Sequence, residues 1–248
     1  MRKTLLEIVQ SILNELDSDE ANSINDTVEA AQVAAIVRDC FLELTSNRNW
    51  PHQKKIMQLD AAGSTSKPNY FKLPSGTKEL TLFKYNVAKV GDTKITYRDI
   101  KYLYPDEFLD IINQRNSDLP TVQTVSDYSG VNLLIYNDRA PQYWTSFDDE
   151  YLICDAYDSA VETTLKKAKS QAILYKQCEW EHTDDYIPDL PDEAFSLLEE
   201  EAKSTAFLAL KQMANQKAEQ KAGRQNRWLA RKAWKAKGGI RYPSYGRK

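Results

Sequence analysis

Two acidic clusters hold the carboxylates that this chain could use as general acid and base: Asp148, Asp149 and Glu150, and Asp184 and Asp185. Paired carboxylates of this kind carry out glycoside hydrolysis. The first cluster follows Ser146, however, and acidic residues after a capping serine are typical of the first turn of a helix, where they interact favourably with the helix dipole. We therefore interpret this cluster as structural. The second cluster lies before a proline, and we expect it to be a solvated loop.

Cysteine and histidine side chains offer a second possible chemistry. Cys178 and His182 are four residues apart, so one face of a helix could present both to a metal ion. Two ligands alone do not define a zinc site, and His52 is the only other histidine in the chain. A Ser/His/Asp or Cys/His arrangement would have to use one of these two histidines, and the sequence contains no GxSxG motif and no glycine-rich phosphate loop. The sequence therefore favours a protein that is not an enzyme and has no metal site or cofactor.

Basic and aromatic residues dominate the C-terminal segment, residues 217–248. This segment contains eleven basic residues and one acid, whereas residues 1–216 carry a formal net charge of −13, so the overall charge of −3 conceals a strong asymmetry. Arginine and tryptophan often anchor protein interfaces, but the same side chains can neutralise phosphates and stack on bases. Composition does not separate these alternatives. The residues we predict to bind a partner are Arg224, Arg227, Trp228, Arg231, Lys232, Trp234, Lys235, Arg241, Tyr242 and Tyr245.

The composition also restricts where the protein can act. No stretch approaches the roughly 20 consecutive apolar residues that a membrane-spanning helix needs. Charges interrupt the apolar positions of the N-terminus, unlike the continuous apolar run of a signal peptide. Cys40, Cys154 and Cys178 are an odd number of scattered cysteines, which argues against a disulfide framework. We expect a protein made in the cytoplasm that does not contact a membrane.

Helical periodicity marks the N-terminal residues. One apolar stripe predicts a first helix, and a second helix is predicted to begin with a capping box formed by Asp26 and Glu29. The second helix should end around residues 45–49, because Pro51 disfavours helical geometry in the residue before it. The predicted buried residues are Leu5, Ile8, Val9, Ile12, Leu13 and Leu16, followed by Val33, Ile36, Cys40, Phe41 and Leu44.

The pattern then changes to short β-rich pieces separated by turn residues. Pro105 can occupy the first position of a short helix, because that position has no intrahelical partner for its amide. Ser129 and Gly130 mark the turn of a hairpin. The predicted elements are strands at 56–59, 70–73 and 80–85, hairpins at 87–97 and 122–136, and a helix at 105–115.

Beyond Pro141 the spacing of apolar residues predicts a long helix that begins after Ser146 and continues to about residue 177. Its predicted stripe contains Tyr151, Cys154, Tyr157, Val161, Leu165, Ala168, Ala172 and Tyr175. A further helix is expected after Pro191, with a seam at Phe195, Leu198, Ala202, Ala206, Ala209 and Met213.

Together these elements predict an α+β, mainly α fold. Its body would be an antiparallel helix bundle formed by residues 1–50 and 141–216, with an inserted antiparallel β region at 51–140. Residues 217–248 have too few apolar residues for a core, and we expect them to form an extended basic tail that is disordered in isolation.

Three segments carry a resemblance to a known family. They are NRNW at residues 47–50, where the second helix ends, YFKLPSGTKEL at 70–80, and PQYWTSFDDEYLICDAYDSA at 141–160. In these segments and in its order of elements, over roughly residues 4–215, the chain resembles the head-to-tail adaptors of short-tailed bacteriophages, the tail tubular protein A type.

This resemblance implies a non-enzymatic virion protein of the neck, between capsid and tail, made in the cytoplasm of a host bacterium. It implies a dodecameric ring of identical subunits between the portal protein and the tail nozzle protein, with genome DNA passing through the lumen without sequence-specific binding. The C-terminal tail would reach the portal, with Arg227, Trp228, Arg231, Trp234, Tyr242 and Tyr245 as anchors. Two alternatives stay open: a nucleic-acid-binding protein that acts through its basic tail, and a small hydrolase that acts through Asp148 or Glu150.

Overall fold

The structure, a computed structural model, describes residues 2–89 and 91–236, with side-chain surroundings up to residue 230. Its backbone divides into two compact units. The helical unit consists of Met1–Gln53 and Gln177–Lys248, and the β unit consists of Lys54–Lys176. Each unit has its own cluster of buried apolar side chains.

Five helices and eleven strands occur within the described residues. The helices are α1 (Leu5–Glu15), α2 (Val28–Ser46), α3 (Pro105–Asn113), α4 (Phe195–Lys211) and α5 (Gln216–Ala236). The strands are β1 (Lys54–Met57), β2 (Asp60–Ala61), β3 (Tyr70–Lys72), β4 (Thr77–Asn86), β5 (Tyr97–Asp99), β6 (Lys101–Tyr102), β7 (Val122–Ser126), β8 (Asn132–Tyr136), β9 (Tyr143–Thr145), β10 (Tyr151–Cys154) and β11 (Ser170–Lys176).

The predicted fold class is wrong. The protein is 35% helical and 22% strand, with its strands in three sheets, which is not a helix bundle with a small inserted β region. The error lies in residues 146–176, where the chain forms β10 and β11 instead of a long helix. Cys154, Leu165 and Ala172 are buried as the helical stripe predicted, but they are buried in strands and loops.

The two N-terminal helices follow their sequence signals closely. In α1, Thr4 Oγ1 accepts a hydrogen bond from the backbone amide of Glu7, whose carboxylate accepts from the amide of Thr4, which closes a capping box. The predicted apolar stripe of α1 is confirmed, because all six of its residues are at most 2% exposed. The predicted cap of α2 is wrong by one residue: Thr27, not Asp26, accepts from the amide of Ala30.

The C-terminal helices differ more from expectation. The first four of the six predicted α4 seam residues are buried, but Ala209 and Met213 are exposed. The described part of the predicted extended tail is a helix, α5, and not an extended chain. Asn215 Oδ1 accepts a hydrogen bond from the amide of Ala218 and caps its first turn.

The β unit contains one antiparallel four-stranded sheet in the order β1-β11-β4-β5, and a five-stranded sheet in the order β2-β3-β10-β9-β6, where β6 runs parallel to β9. The predicted hairpin at 122–136 is confirmed: β7 and β8 pair from Val122 opposite Tyr136, and Gly130 in the turn has a φ of +86°. The short helix α3 is also confirmed, with Pro105 in its first turn.

Candidate functional site

The basic helix α5 is held on the helical unit by a narrow apolar seam. Ala218, Ala222 and Leu229 are buried, each no more than 7% exposed. Their spacing of four and seven residues places them on one face of the helix. Ala218 and Ala222 are small, which allows α5 to approach α4 closely. Packing against this neighbour stabilises α5 as a helix, although the segment is too polar to form a core of its own.

Polar contacts flank this seam. Lys221 pairs with Glu200 of α4 at 2.8 Å between Nζ and Oε1, and Gln225 donates a hydrogen bond to the carbonyl of Glu193. Glu201 of α4 lies nearby, and burial raises the pKa of its carboxyl, which the negative charge of Glu43 raises further. The surface of α4 under α5 is therefore acidic, which favours the basic helix in that place.

The outward face of α5 carries the charge. Lys217, Arg224 and Arg227 are exposed, and Trp228 is 48% exposed beside them. Residues 217, 224 and 228 lie on one stripe of the helix because they are separated by seven and four residues. The structure therefore brings the first three predicted binding residues, Arg224, Arg227 and Trp228, onto one exposed face. The side chains of Arg231, Lys232, Trp234 and Lys235, and the residues Arg241, Tyr242 and Tyr245, lie outside the described part of the chain.

The first acidic cluster forms a tight turn and does not begin a helix. Asp148 Oδ1 accepts hydrogen bonds from the amides of Glu150 and Tyr151, and Asp149 has a positive φ of 59°. Ser146 Oγ accepts from the amide of Asp149 and donates to the carbonyl of Tyr151. The turn joins β9 to β10. These bonds explain the wrong prediction, because serine and aspartate cap turns and helix starts with the same side-chain geometry.

The second acidic cluster also has a structural task. Asp184 Oδ1 accepts hydrogen bonds from the hydroxyl of Ser23 and the amide of Ile24, at 3.2 and 2.8 Å. The prediction of a solvated side chain is therefore wrong for Asp184, which stabilises the connection between α1 and α2. Asp185 is exposed, as predicted.

Cys178 and His182 do not share a helix face, because residues 177–182 form no helix. His182 is exposed, while Cys178 is buried and its Sγ lies 3.6 Å from Nε2 of His52. The carboxylate of Asp189 lies close to both. Sequence spacing missed this group because its members are far apart along the chain. The signal available beforehand was only that His52 follows the end of the predicted second helix.

The sequence also gave no sign of a buried ion pair in the β unit. Arg115 Nη2 lies 3.2 Å from Asp155 Oδ2, with the two side chains 5% and 6% exposed. Arg115 also donates to the carbonyls of Leu134 and Asp155, and the amides of Gln142 and Tyr143 donate to Asp155 Oδ1. Burial lowers the pKa of Arg115, and the negative charge of Asp155 opposes that change. The pair joins chain segments of the β unit.

Comparison of the chain with protein-family models gives no match, and comparison with curated protein sequences gives no significant match. Among the described residues, no helix is both long enough and apolar enough to cross a membrane.

Proposed function

We propose that this protein is a structural head-to-tail adaptor of a short-tailed bacteriophage. In this proposal it is made in the host bacterial cytoplasm and becomes part of the virion neck, where identical subunits form a ring, dodecameric by family analogy, between the portal protein and the tail nozzle protein. The ring continues the channel through which genome DNA leaves the capsid. The protein performs no catalysis in this role and needs no cofactor.

The observation that carries the proposal is the basic face of α5 on an otherwise acidic protein. Arg224 and Arg227 are exposed on a helix, and residues 1–216, which precede the basic segment, carry a formal net charge of −13. Arginine and tryptophan are both enriched among the residues that contribute most of the binding energy at protein interfaces. This face supports a docking role, and the portal is the partner that the family resemblance suggests.

The acidic body fits the second part of the role. Each protein cation that neutralises a phosphate adds affinity for DNA, so a channel lined by basic residues would hold the genome back. A subunit body with a large excess of carboxylates repels the phosphate backbone instead. The separation of charge between body and C-terminal segment lets one chain bind a partner tightly and leave passing DNA unbound.

The test is cosedimentation of the full-length protein with the portal protein of the same phage. The variant reverses two charges on the α5 face, Arg224→Glu with Arg227→Glu. The control reverses two exposed lysines of the β unit, Lys89→Glu with Lys94→Glu. We expect saturable binding of the wild type and the control, and a roughly tenfold to hundredfold loss of affinity in the variant. Absence of portal binding by the wild type would overturn the proposal.

The same basic face also supports a second candidate, a nucleic-acid-binding protein that acts through its C-terminal segment. Duplex DNA binding would then show a steep salt dependence, and removal of the two arginines would reduce the slope of log K against log salt by about 0.9 for each lost phosphate contact. DNA binding that depends on Arg224 and Arg227, without portal binding, would favour this candidate over the adaptor.

A further inference from the structure

His52, Cys178 and Asp189 of the helical unit bring three different metal-ligand types together. One nitrogen of His52, the thiol sulfur of Cys178 and a carboxylate oxygen of Asp189 lie within 4.8 Å of one another. The three residues come from two segments: His52 lies in a single 3-10 turn that follows α2, and Cys178 and Asp189 lie in the irregular segment that precedes α4. Cys178 is buried, His52 is half-buried and Asp189 is exposed, so the group lies at the edge of the core with one side open to solvent.

The sulfur-to-nitrogen distance fits a tetrahedral zinc ion. Zinc binds a thiolate at about 2.3 Å and an imidazole nitrogen at about 2.0–2.1 Å, so two such ligands at the tetrahedral angle are about 3.5 Å apart. The observed distance between Cys178 Sγ and His52 Nε2 is 3.6 Å. Asp189 can supply the third ligand from the solvent side, and a water molecule can take the fourth position.

A neighbouring side chain holds the sulfur in place. Gln53 Nε2 donates hydrogen bonds to the carbonyl of Thr45 at 3.2 Å and to Cys178 Sγ at 3.5 Å. The Oε1 of Gln53 accepts from the amide of Trp50 at 3.1 Å, which fixes the orientation of the side-chain amide. A donor aimed at the sulfur stabilises the thiolate that a metal requires, so Gln53 is a positioning residue for Cys178.

We propose that His52, Cys178 and Asp189 bind one zinc ion, which acts as a structural clamp. Binding replaces the thiol proton of Cys178, which passes to the solvent, and no oxidation or reduction takes place. His52 and Cys178 each lie two residues outside the β unit, at Lys54 and Lys176. The ion therefore ties the segment that leaves the helical unit to the segment that returns to it, and stabilises that unit by closing a long chain loop.

Cobalt(II) is the probe for the test, because it occupies zinc sites and reports thiolate ligation through a charge-transfer absorption band in the near ultraviolet. The full-length protein is reduced, freed of metal and titrated with cobalt chloride. We expect the band to saturate at one equivalent, and zinc chloride to abolish it, because sites of this type bind zinc more tightly than cobalt. Zinc should also raise the melting temperature of the protein.

Variants assign the ligands. Cys178→Ser should abolish the charge-transfer band, and His52→Gln or Asp189→Asn should weaken cobalt binding by roughly tenfold or more. The matched controls are Cys40→Ser and His182→Gln, which should leave binding unchanged. Burial raises the pKa of the Cys40 thiol to about 11, so that thiol is a poor metal ligand.

The proposal is overturned if the reduced wild-type protein gives no band, if the band survives Cys178→Ser, or if His182→Gln weakens binding as much as His52→Gln. Asp189 is exposed, so Asp189→Asn remains informative even if the substitution of buried Cys178 impairs folding. Portal binding by a protein without metal would leave the adaptor proposal intact, so failure of the zinc site and failure of the adaptor role are distinguishable.

Discussion

Charged side chains are buried in both units, but under different conditions. In the helical unit, Lys203 Nζ lies 2.7 Å from Glu15 and 3.2 Å from Glu199, and the Glu15 side chain stays 51% exposed. In the β unit, Arg115 and Asp155 are both almost completely buried. The helical ion pairs therefore reach the solvent edge, whereas the pair in the β unit is enclosed.

The backbone explains this difference. In a helix the backbone amides and carbonyls form hydrogen bonds with one another. The charged side chains of the helical unit can therefore pair with each other without serving the backbone. The β unit contains short strands and loops, and its backbone groups need partners from elsewhere. Arg115 donates to two carbonyls and Asp155 accepts from two amides, so this pair adds hydrogen bonds to backbone groups of several chain segments. Removal of either member should therefore cost more than removal of a helical ion pair.

The largest effect is expected for Arg115→Met. The substitution leaves the buried Asp155 carboxylate without its counter-charge and removes the hydrogen bonds that Arg115 donates to the carbonyls of Leu134 and Asp155. It should lower the free energy of unfolding by about 3–5 kcal/mol. Urea denaturation followed by circular dichroism measures the loss. Arg139→Met is the matched control, because Arg139 also lies over the ring of Tyr136, at 3.9 Å against 4.0 Å for Arg115. Its partner Asp138 is on the surface, and we expect a loss below about 1 kcal/mol. Equal losses would contradict the importance of burial.

An intermediate effect is expected for Lys203→Met. The Lys203 side chain is 6% exposed, but one of its partners faces the solvent. Burial acts to lower the pKa of Lys203, and the carboxylates of Glu15 and Glu199 outweigh it and raise the pKa. The loss should be about 2 kcal/mol, between the values for enclosed and surface pairs. Exposed Lys211→Met serves as control. A loss as large as that of Arg115→Met would remove the contrast between the two units.

Smaller and similar effects are expected for Thr27→Ala in the helical unit and Ser146→Ala in the β unit. Each hydroxyl accepts a backbone amide hydrogen bond, one at the start of α2 and the other in the β9–β10 turn. Loss of either should cost about 1 kcal/mol. Thermal unfolding of both variants compares the two contributions directly. A cost confined to the helical variant would mean that capping stabilises helices but not this turn.

The smallest effect concerns the pH dependence of the helical unit. Burial acts to raise the pKa of Glu199, but hydrogen bonds from Lys3 and Ser11 and the charge of Lys203 outweigh it, so its pKa lies below the ordinary 4.5. A carboxyl with a lowered pKa stabilises the fold above its unfolded-state pKa, and this contribution is lost as the pH falls through the folded-state value. Unfolding of the wild type should therefore depend more steeply on pH below about 4.5 than that of Glu199→Gln. Identical slopes would exclude the contribution.

The candidate site shows how far sequence reasoning reaches. Arg224, Arg227 and Trp228 could be selected from composition alone, because the charge of residues 217–248 contrasts so strongly with the rest. Their placement on an ordered helix could not, since α5 has too few apolar residues to be stable alone and depends on the core of the helical unit for burial of Leu229. The role of the basic face in portal binding remains a prediction that the proposed cosedimentation tests.

The sequence by itself determined the features that depend on near neighbours. The buried stripe of α1, the end of α2 before Pro51 and the β7–β8 hairpin all follow from residues within a few positions of one another. Local spacing also identified some of the buried residues of 146–176, among them Cys154, Leu165 and Ala172, but it assigned them to a helix and missed Leu152, Ile153 and Leu174.

Only the tertiary structure decided the features that depend on distant partners. β10 and β11 are strands because Ile153 pairs opposite Tyr70 and Ile173 opposite Leu82, and such partners override a local helical pattern. The same reason applies to Arg115 and Asp155, forty residues apart, and to Cys178 and His52, 126 residues apart. Periodicity measures only which face of a segment is apolar, whereas the partner of that face is selected by the packing of the whole chain.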